Sequence, residues 1–399
     1  MRGYQVLLLA VVALTIAGCS RGAAVPPVSG DAGKASITES LDTLSTGGQP
    51  ARTPNELVAI GHYLFGSTRD GGIHNRGEVF RVTPQGEFVV LRAFADGASP
   101  MGPLAEVNGT LFGTLYRGTA SHAGGVFGIS RDRDHQEAAL YSFAGDPDAA
   151  KPQAGLVNVN GTLYGTASGG ENGTGSVFGY NTVNGREFVL FSFPSTMRGG
   201  GSSSTLTYVN GKLWGTTPFG GQGCNSAGCG TVFAIDPATG KQTFEYDFKN
   251  GADGSEPWTG LTEFNGKLYG TTVSGGRGCS FGCGTIYSID PATGREKVVY
   301  AFAAGYPYAQ LSAFNGKLYG TIATGGSAGE GAVYVFDPTT SSYTNVYSFQ
   351  GGSDGAQPKT RLVPLGSYLF GTTFLGGANG RGVVYRVTAG GRERVIYAF

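Results

Sequence analysis

An aromatic-Gly-Thr tripeptide, or a near-identical one, returns seven times along this chain. The copies are Phe65-Gly66-Ser67, Phe112-Gly113-Thr114, Tyr164-Gly165-Thr166, Trp214-Gly215-Thr216, Tyr269-Gly270-Thr271, Tyr319-Gly320-Thr321 and Phe370-Gly371-Thr372. Successive motif glycines are separated by 47, 52, 50, 55, 50 and 51 residues. Strand-rich repeats of about 50 residues are typical of β-propeller blades, whereas helical solenoids would show a hydrophobic period of about 3.6 residues. The spacing therefore predicts a propeller with one blade per copy.

The unit from 261 to 302 shows the predicted blade most clearly. Asn265-Gly266 is a strong two-residue hairpin signal because both residues tolerate positive φ. The segment 290–294 supplies a second turn, with a proline near its start and a glycine at its end. The predicted strands are Leu261–Phe264, Lys267–Val273, Thr285–Ile289 and Lys297–Phe302. Because the same order recurs, strictly or loosely, in every unit, the sequence predicts an all-β, seven-bladed β-propeller with four antiparallel strands per blade. The propeller is expected to span 55–399, with blades at about 55–94, 104–143, 156–193, 206–248, 261–302, 311–349 and 362–399.

Composition supports a turn-rich all-β fold and excludes several other classes. Gly supplies 71 of 399 residues, about 18% against about 7% in globular proteins, but it has no three-residue period, so a collagen-like chain is excluded. Hydrophobic residues make up 40% and charged residues 14%, which is enough apolar side chain to bury a core. Lys and Arg total 28, as do Asp and Glu, so the net charge is zero. Without a basic excess, nucleic acid is not an expected partner.

Most of the repeated residues have a structural interpretation. An aromatic ring on a blade strand can pack against the next blade, the missing Cβ of glycine lets a neighbouring backbone approach, and threonine suits a strand. Gly-Gly pairs follow the motif and are expected to be loop residues with positive φ. These pairs are Gly71-Gly72, Gly169-Gly170, Gly220-Gly221, Gly275-Gly276, Gly325-Gly326 and Gly376-Gly377.

Several of these elements together resemble the GloVer tandem-repeat family. Its units carry a Tyr-Gly-Thr-Thr element, a Gly-rich loop, a Gly-Thr-Val-Phe strand and a Tyr-Ser-Phe strand; this chain matches them at Leu268 to Thr272, Gly230 to Phe233 and Tyr347 to Phe349. The resemblance covers about residues 55–399. It implies a propeller whose anchor to the cell differs between members, and it implies no established reaction. Kelch repeats share the period and a Gly pair but match less well, because no regular Trp accompanies the pair here.

The N-terminus has the features of a bacterial lipoprotein signal. An apolar run from Val6 to Ile16 is too short to span a bilayer but suits a signal peptide. It ends in Ile16-Ala17-Gly18-Cys19, which resembles a lipobox, so residues 1–18 are expected to be removed and Cys19 to be lipidated. The alternative is an ordinary signal peptide with an incidental Cys. Ser20 favours an outer-membrane address by resemblance to lipoprotein sorting rules, and residues 19–54 are expected to form the lipidated end and a flexible tether.

The other four cysteines form two close pairs, each in the Gly-rich loop between the second and third strands of successive blades. Outside the cytoplasm, the simplest expectation is two local disulfides. A four-thiolate zinc site is an alternative with unusual spacing, and cross-links between blades are another. The predicted disulfide residues are Cys224, Cys229, Cys279 and Cys283.

No catalytic constellation is evident in the sequence. His62, His74, His122 and His135 adjoin no nucleophile motif and have no metal-ligand spacing, so they are expected on the surface or in loops. Asp253-Gly254 and Asp354-Gly355, with Asp96-Gly97 as a looser copy, are interpreted as Asx-type turns. Trp214 and Trp258 could stack on sugar, but core packing is the preferred interpretation.

The sequence favours a lipid-anchored, extracytoplasmic propeller that acts as a non-catalytic binding or envelope assembly module. The expected partners are the membrane, through the lipid, and a polysaccharide or an envelope protein; no catalytic residue, cofactor or metal is expected. A carbohydrate-active hydrolase or lyase that uses the channel is one alternative, and a purely structural envelope protein is another.

Overall fold

Seven antiparallel sheets, each made from one continuous stretch of chain, form the propeller. The computed structural model describes residues 49–399 except 96–97, 120, 132–136, 172, 195–201, 203, 225–227 and 280–281. The predicted signal peptide and Cys19 lie outside the described residues, as do Asp96, Gly97 and His135. Within the described part of the chain, no helix has the length and apolar character needed to cross a membrane.

Blades one to three contain thirteen strands. They are β1 (Gln49–Pro54), β2 (Val58–Ile60), β3 (Tyr63–Gly72), β4 (Glu78–Val82) and β5 (Phe88–Ala93) in blade one; β6 (Pro100–Val107), β7 (Thr110–Leu115), β8 (Gly125–Ser130) and β9 (Glu137–Ser142) in blade two; and β10 (Val157–Val159), β11 (Thr162–Ala167), β12 (Ser176–Asn181) and β13 (Glu187–Ser192) in blade three.

Blades four to seven contain the remaining strands. They are β14 (Thr207–Val209), β15 (Lys212–Thr217), β16 (Thr231–Ile235) and β17 (Gln242–Asp247) in blade four; β18 (Thr262–Phe264), β19 (Lys267–Thr272), β20 (Thr285–Ile289) and β21 (Glu296–Ala301) in blade five; β22 (Ser312–Phe314), β23 (Lys317–Ile322), β24 (Ala332–Asp337) and β25 (Ser342–Ser348) in blade six; and β26 (Ala356–Pro358), β27 (Val363–Leu365), β28 (Tyr368–Leu375), β29 (Val383–Thr388) and β30 (Glu393–Ala398) in blade seven. A 3-10 turn at Gly352–Asp354 precedes β26.

The predicted four-stranded blade is confirmed, with the strands of every sheet in chain order. In blades one and seven the innermost position is divided into two short strands, β1 with β2 and β26 with β27, and both pieces pair with the same neighbour. Strand β1 lies in the segment 19–54 that the sequence assigned to the tether. That predicted tether therefore overlaps the first blade by six residues.

The repeated tripeptide lies on the second strand of each blade and is buried. A Cβ on Gly270 would lie 2.4 Å from the Tyr287 hydroxyl oxygen and 2.9 Å from Leu261 Cδ2. The glycine thus makes room for side chains of its own blade, rather than for a neighbouring backbone as the sequence analysis expected. The motif aromatics pack as predicted: Tyr269, for example, belongs to one cluster with Leu311 and Leu318 of the next blade.

The blades are joined by one aromatic contact that recurs around the ring. The Phe that follows the fourth strand of each blade meets the aromatic ring of the third strand in the next blade edge to face. The pairs are Phe94–Phe127, Phe143–Phe178, Phe193–Phe233, Phe248–Tyr287, Phe302–Tyr334, Phe349–Tyr385 and Phe399–Phe80, with centroids 4.9 to 5.4 Å apart. The last pair joins blade seven to blade one, so the ring closes through the same contact without a shared blade.

Candidate functional site

Seven loops converge where the chain passes from one blade into the next. In five of them a proline is followed, after three residues, by a leucine buried in the core: Pro100 to Leu104, Pro152 to Leu156, Pro257 to Leu261, Pro307 to Leu311 and Pro358 to Leu362. Blade one has Pro54 and Leu57 with two residues between them, and Ser202 replaces the proline in blade four. Residues from all seven loops line one cavity of about 280 Å³. Because every blade contributes, the cavity lies at the centre of the ring, and we call it the channel mouth.

The motif threonines hold these loops in place. The Thr216 hydroxyl donates to the backbone oxygen of Thr259 in the loop of the next blade, at 2.8 Å. Equivalent bonds run from Thr114, Thr166, Thr271, Thr321 and Thr372 to the carbonyls of Ala154, Ser204, Pro307, Thr360 and Asn55. The tripeptide, interpreted from the sequence as packing alone, also positions the residues of the channel mouth.

Aromatic side chains occupy one side of the channel mouth. Trp258, Tyr308 and Phe374 line the cavity, and Tyr306 lies next to Tyr308 with ring centroids 6.3 Å apart. We call these four residues the aromatic rim. Trp258 is half-buried and packs edge to face on Phe219 at 5.3 Å. Tyr306, Tyr308 and Phe374 are each about 40% exposed. The rim therefore offers ring faces to solvent at the centre of the ring.

Cationic side chains lie beside the aromatic rim. Arg69, Lys359 and Arg361 line the cavity. The Lys359 Nζ lies 4.7 Å from the ring centroid of Phe374 and 5.8 Å from that of Tyr308. Partial burial lowers the pKa of Lys359. Arg361 Nε is buried without a hydrogen-bond partner in the described structure.

Among the cavity-lining residues that the structure describes, Glu56 is the single carboxylate. Burial raises the pKa of Glu56, while the charge and the backbone N–H of Arg361 act in the opposite direction. Glu56 belongs to blade one and Arg361 to blade seven. Their interaction therefore lies at the seam of the ring.

The described lining offers little for two-residue acid–base chemistry. Paired-carboxylate glycoside hydrolysis needs two acidic side chains about 5–10 Å apart. The described lining contains one, and no His or Cys. Glu256 lies close by, but its carboxylate accepts a hydrogen bond of 3.3 Å from Trp258 Nε1.

A second depression, of about 530 Å³, lies between the loops of blades two and three. Its lining includes His122, Asp146 and Lys151, with small residues and backbone making up most of the rest. It is larger than the channel mouth but involves two blades and no aromatic side chain among its described residues. We therefore take the channel mouth as the candidate site.

Half-buried tyrosine–carboxylate clusters join three pairs of neighbouring blades. They consist of Tyr141, Asp148 and Glu187; Tyr246, Asp253 and Glu296; and Tyr347, Asp354 and Glu393. Burial is the main reason why the pKa of each glutamate is raised to about 7. These clusters carry no signal in the sequence, because the tyrosine and the glutamate come from different blades.

The aspartates of two clusters also hold the chain that precedes them. Asp253 accepts hydrogen bonds from the backbone N–H groups of Lys249 at 2.9 Å and Gly251 at 3.2 Å. Asp354 accepts one from Gln350 at 2.6 Å. An Asx-type turn would instead bond to the N–H two residues later, so the interpretation of Asp253 and Asp354 as Asx-type turns was wrong.

The two cysteine pairs form local disulfides. Cys224 is bonded to Cys229 and Cys279 to Cys283, with Cα atoms 5.7 and 5.9 Å apart. Since all four thiols are used, the zinc-site and cross-blade alternatives do not apply. Over the described chain, no three His, Cys, Asp or Glu side chains are grouped as metal ligands.

The tryptophans and histidines named from the sequence lie in different parts of the structure. Trp214 is 1% exposed and belongs to the core, as preferred from the sequence. Trp258 lies instead in the channel mouth, so the core interpretation was wrong for it. His62, His74 and His122 are exposed, as expected. A signal for the mouth was present in the sequence: between the repeated Pro and Leu, the three intervening residues change from blade to blade.

Comparison with known families agrees with this architecture. The model of the Gloeobacter/Verrucomicrobia repeat matches residues 29–170, 132–306 and 277–399. The chain belongs to this repeat family. Its expected membership, stated above from the motifs, is thereby confirmed. No curated protein matches the chain in sequence.

Solved structures with a similar fold have different activities. A puromycin-hydrolyzing peptidase of Mycobacterium tuberculosis aligns with a TM-score of 0.54 and 12% identity, over 87% of this chain and 54% of its own. A streptogramin B lyase aligns with a TM-score of 0.50 and 17% identity, over 75% of this chain and 83% of its own. This chain thus spans about half of the peptidase. At these identities the likeness shows the propeller fold alone.

Proposed function

We propose that this member of the repeat family is a binding module whose ligand site is the channel mouth. The observation that carries the proposal is the contrast between a repeated scaffold and unrepeated lining residues. The motif threonines, leucines and glycines recur in all or nearly all blades, whereas Met101, Gln153, Trp258, Tyr308 and Lys359 occupy corresponding loop positions. Repetition is explained by packing; the variation at one central cavity is what a specific ligand requires.

The mouth has the composition of a ligand site. Exposed rings supply apolar area, and few polar groups converge beside them. Thr216 and its equivalents bond the loops to the strands of the blades. The lining side chains are therefore held in place by the sheets. Binding is favoured over catalysis because the described lining contains a single carboxylate.

Ligand-dependent thermal unfolding of the full-length protein tests this proposal. A panel of neutral, acidic and basic oligosaccharides is added, and a ligand present at 100 times its Kd is expected to stabilise the fold by about 2.7 kcal/mol. Trp258→Ala should weaken the affinity at least tenfold, so that the same ligand concentration stabilises the variant by no more than about 1.4 kcal/mol. Tyr208→Ala removes an exposed aromatic side chain outside the mouth and should leave the affinity unchanged.

An equal response from both variants would place the ligand elsewhere and contradict the proposal. Product analysis on any ligand that binds separates this function from its main alternative, a hydrolase or lyase. Turnover that is lost in Trp258→Ala would replace binding by catalysis as the role of the mouth.

The proposed setting is the outside of the cell, with attachment to the outer membrane through a lipid on Cys19. It is supported by the lipobox-like sequence and by two disulfides, which persist in oxidising compartments. Mass spectrometry of the membrane fraction should find an acylated N-terminal Cys19, and Cys19→Ala should release the protein from membranes. An unmodified N-terminus downstream of residue 19 would contradict lipid anchoring.

A further inference from the structure

The charges at the channel mouth are unbalanced. Arg69, Lys359 and Arg361 line the cavity together with one carboxylate, that of Glu56. The whole chain has a net charge of zero, so this local excess of positive charge is not a reflection of composition. Arg69 and Lys359 are exposed, and no ion pair joins either to an acidic side chain in the described structure. Their charge is available to an anionic group.

The cations and the ring faces belong to one surface. Lys359 Nζ lies 4.7 Å from the centroid of Phe374 and 5.8 Å from that of Tyr308. Arg361 follows two residues later in the same loop, with its buried Nε unpaired. A ligand that contacts Phe374 or Tyr308 with an apolar face can therefore place an anionic group on Lys359 and Arg361 without leaving the cavity.

We propose that the channel mouth binds an acidic carbohydrate, with the apolar face of a sugar ring against Tyr308 or Phe374 and a carboxylate against Lys359 and Arg361. This inference rests on the proposed function and specifies its ligand class. A uronic acid combines both requirements in one unit, because its carboxylate is bonded directly to the ring that stacks.

Other ligand classes fit less well. A neutral sugar would cover the rings but leave Arg69 and Lys359 without a counter-charge. A cationic ligand would be repelled by the charges of Lys359 and Arg69 beside the rings. An acidic peptide would satisfy the charges but lacks a rigid apolar ring face beside each carboxylate.

Glu56 is compatible with an anionic ligand. Its burial raises its pKa, so the neutral form becomes more accessible when another carboxylate approaches. Glu256, near the rim, is held by Trp258 and affects mainly the side of the rim near Tyr308.

Isothermal titration of the full-length protein with a matched pair of ligands tests the inference. The pair is an oligogalacturonate and the same oligomer after reduction of its carboxyl groups to primary alcohols. We expect the acidic oligomer to bind at least tenfold more tightly than the reduced one. Raising the salt concentration should weaken the acidic oligomer more, because exposed charges are screened. Polyglutamate, which has the charge without the sugar ring, should bind weakly.

Two variants test whether the charge of Lys359, rather than a change in the fold, controls the affinity. Lys359→Gln should reduce the affinity for the acidic oligomer about tenfold and leave the reduced oligomer unaffected. Lys241→Gln removes an exposed lysine outside the mouth and should change neither affinity. Arg361→Gln, compared with Arg361→Lys, tests the contribution of the second cation.

The outcomes distinguish this inference from the proposed function. Equal affinity for the two oligomers, or no effect of Lys359→Gln, overturns the acidic-sugar inference while leaving a ligand site in the mouth. If neither oligomer binds, the acidic-sugar inference is also overturned. The proposed function fails in that case only if Trp258→Ala changes the affinity for none of the ligands found with the wider panel. Tight binding of polyglutamate would show a general anion site and overturn the sugar specificity.

Discussion

Thr216 donates a hydrogen bond of 2.8 Å to the backbone oxygen of Thr259, across the boundary between blades four and five. The donor belongs to the repeated tripeptide, and the acceptor residue follows Trp258 in the channel mouth. Both threonines are buried, so water cannot readily replace the bond. One side chain thus serves both the packing of the blades and the position of the candidate ligand site.

Replacing Thr216 by Val should therefore lower stability and weaken ligand binding together. Val has nearly the same shape but leaves the Thr259 carbonyl without this donor, at a cost of about 1–3 kcal/mol. Urea denaturation measures the loss, and titration of the variant measures the binding. Thr239→Val, in an exposed turn, should stay within about 0.5 kcal/mol of the original protein. A Thr216→Val protein of unchanged stability would show that the bond is not formed.

Ring closure depends on the last residue of the sequence. Phe399 is 2% exposed and contacts Phe80 of the first blade, with centroids 5.4 Å apart. Phe399→Ala should lower the free energy of unfolding by about 3–5 kcal/mol, since a buried aromatic ring is lost and the two end blades separate more easily. Denaturant unfolding measures the change. Val183→Ala, at an 89% exposed position, is the control and should be nearly neutral. A loss below about 1 kcal/mol for Phe399→Ala would mean that other contacts close the ring.

The blade was predictable because its signals are local. In blade five the predicted strands Leu261–Phe264 and Thr285–Ile289 agree with β18 and β20 within one residue. Asn265 and Gly266 have φ values of 50° and 75°, as a hairpin turn between two paired strands requires. Alternation, turn residues and repetition are properties of neighbouring residues, so no knowledge of the ring was needed.

The channel mouth was not predicted, because no single blade contains it. Trp258 and Lys359 are separated by 101 residues in sequence (359 − 258) and become neighbours of one cavity only when the ring closes. Each loop alone resembles an ordinary connection. For the same reason, the contact between Tyr246 and Glu296, which belong to successive blades, was not predicted.

The cluster of blades four and five holds two carboxylates against one hydroxyl. The Tyr246 hydroxyl oxygen lies 3.2 Å from Asp253 Oδ2 and 3.3 Å from Glu296 Oε2. Burial is the main reason why the pKa of Glu296 is raised to about 7 from 4.5, and the negative charge of Asp253 acts in the same direction. The hydrogen bond from Tyr246 acts in the opposite direction and only partly offsets them.

Stability should consequently fall as the pH rises toward neutrality. A pKa that is higher in the folded than in the unfolded state contributes stability that is full below about 4.5 and is lost as the pH rises through about 7. Glu296→Gln keeps a neutral side chain at every pH. It should make the fall of unfolding free energy between pH 5 and 8 shallower, while Glu187 and Glu393 continue to titrate. At pH 8 the variant should be more stable than the original protein by about 1 kcal/mol, a value reduced for partial exposure.

Denaturant unfolding at several pH values measures this effect. Glu263→Gln is the matched control, because Glu263 is exposed and lies on the inner strand of the same blade. Its profile should follow that of the original protein. If Glu296→Gln and the original protein lose stability in parallel between pH 5 and 8, the glutamate is ionised in the folded state throughout, and the cluster does not store a proton.

The disulfides should stabilise the face that carries the channel mouth. The antiparallel order of the strands places the loops between second and third strands on the same face as the loops between blades. Replacing Cys279 and Cys283 together by Ser opens a short closed loop and should cost about 2 kcal/mol. Thermal unfolding with and without a reductant measures this cost. The reductant should lower the stability of the double variant by correspondingly less than that of the original protein.

The other disulfide gives a test of the link between this face and the ligand site. Cys224 and Cys229 close the loop that carries Phe219, which packs on Trp258 at 5.3 Å. Replacing both by Ser should weaken ligand binding as well as stability, whereas the pair Cys279 and Cys283 should affect mainly stability. Titration of both double variants at equal folded fraction compares them. Equal affinities would mean that Trp258 is held in place without help from the disulfide loop.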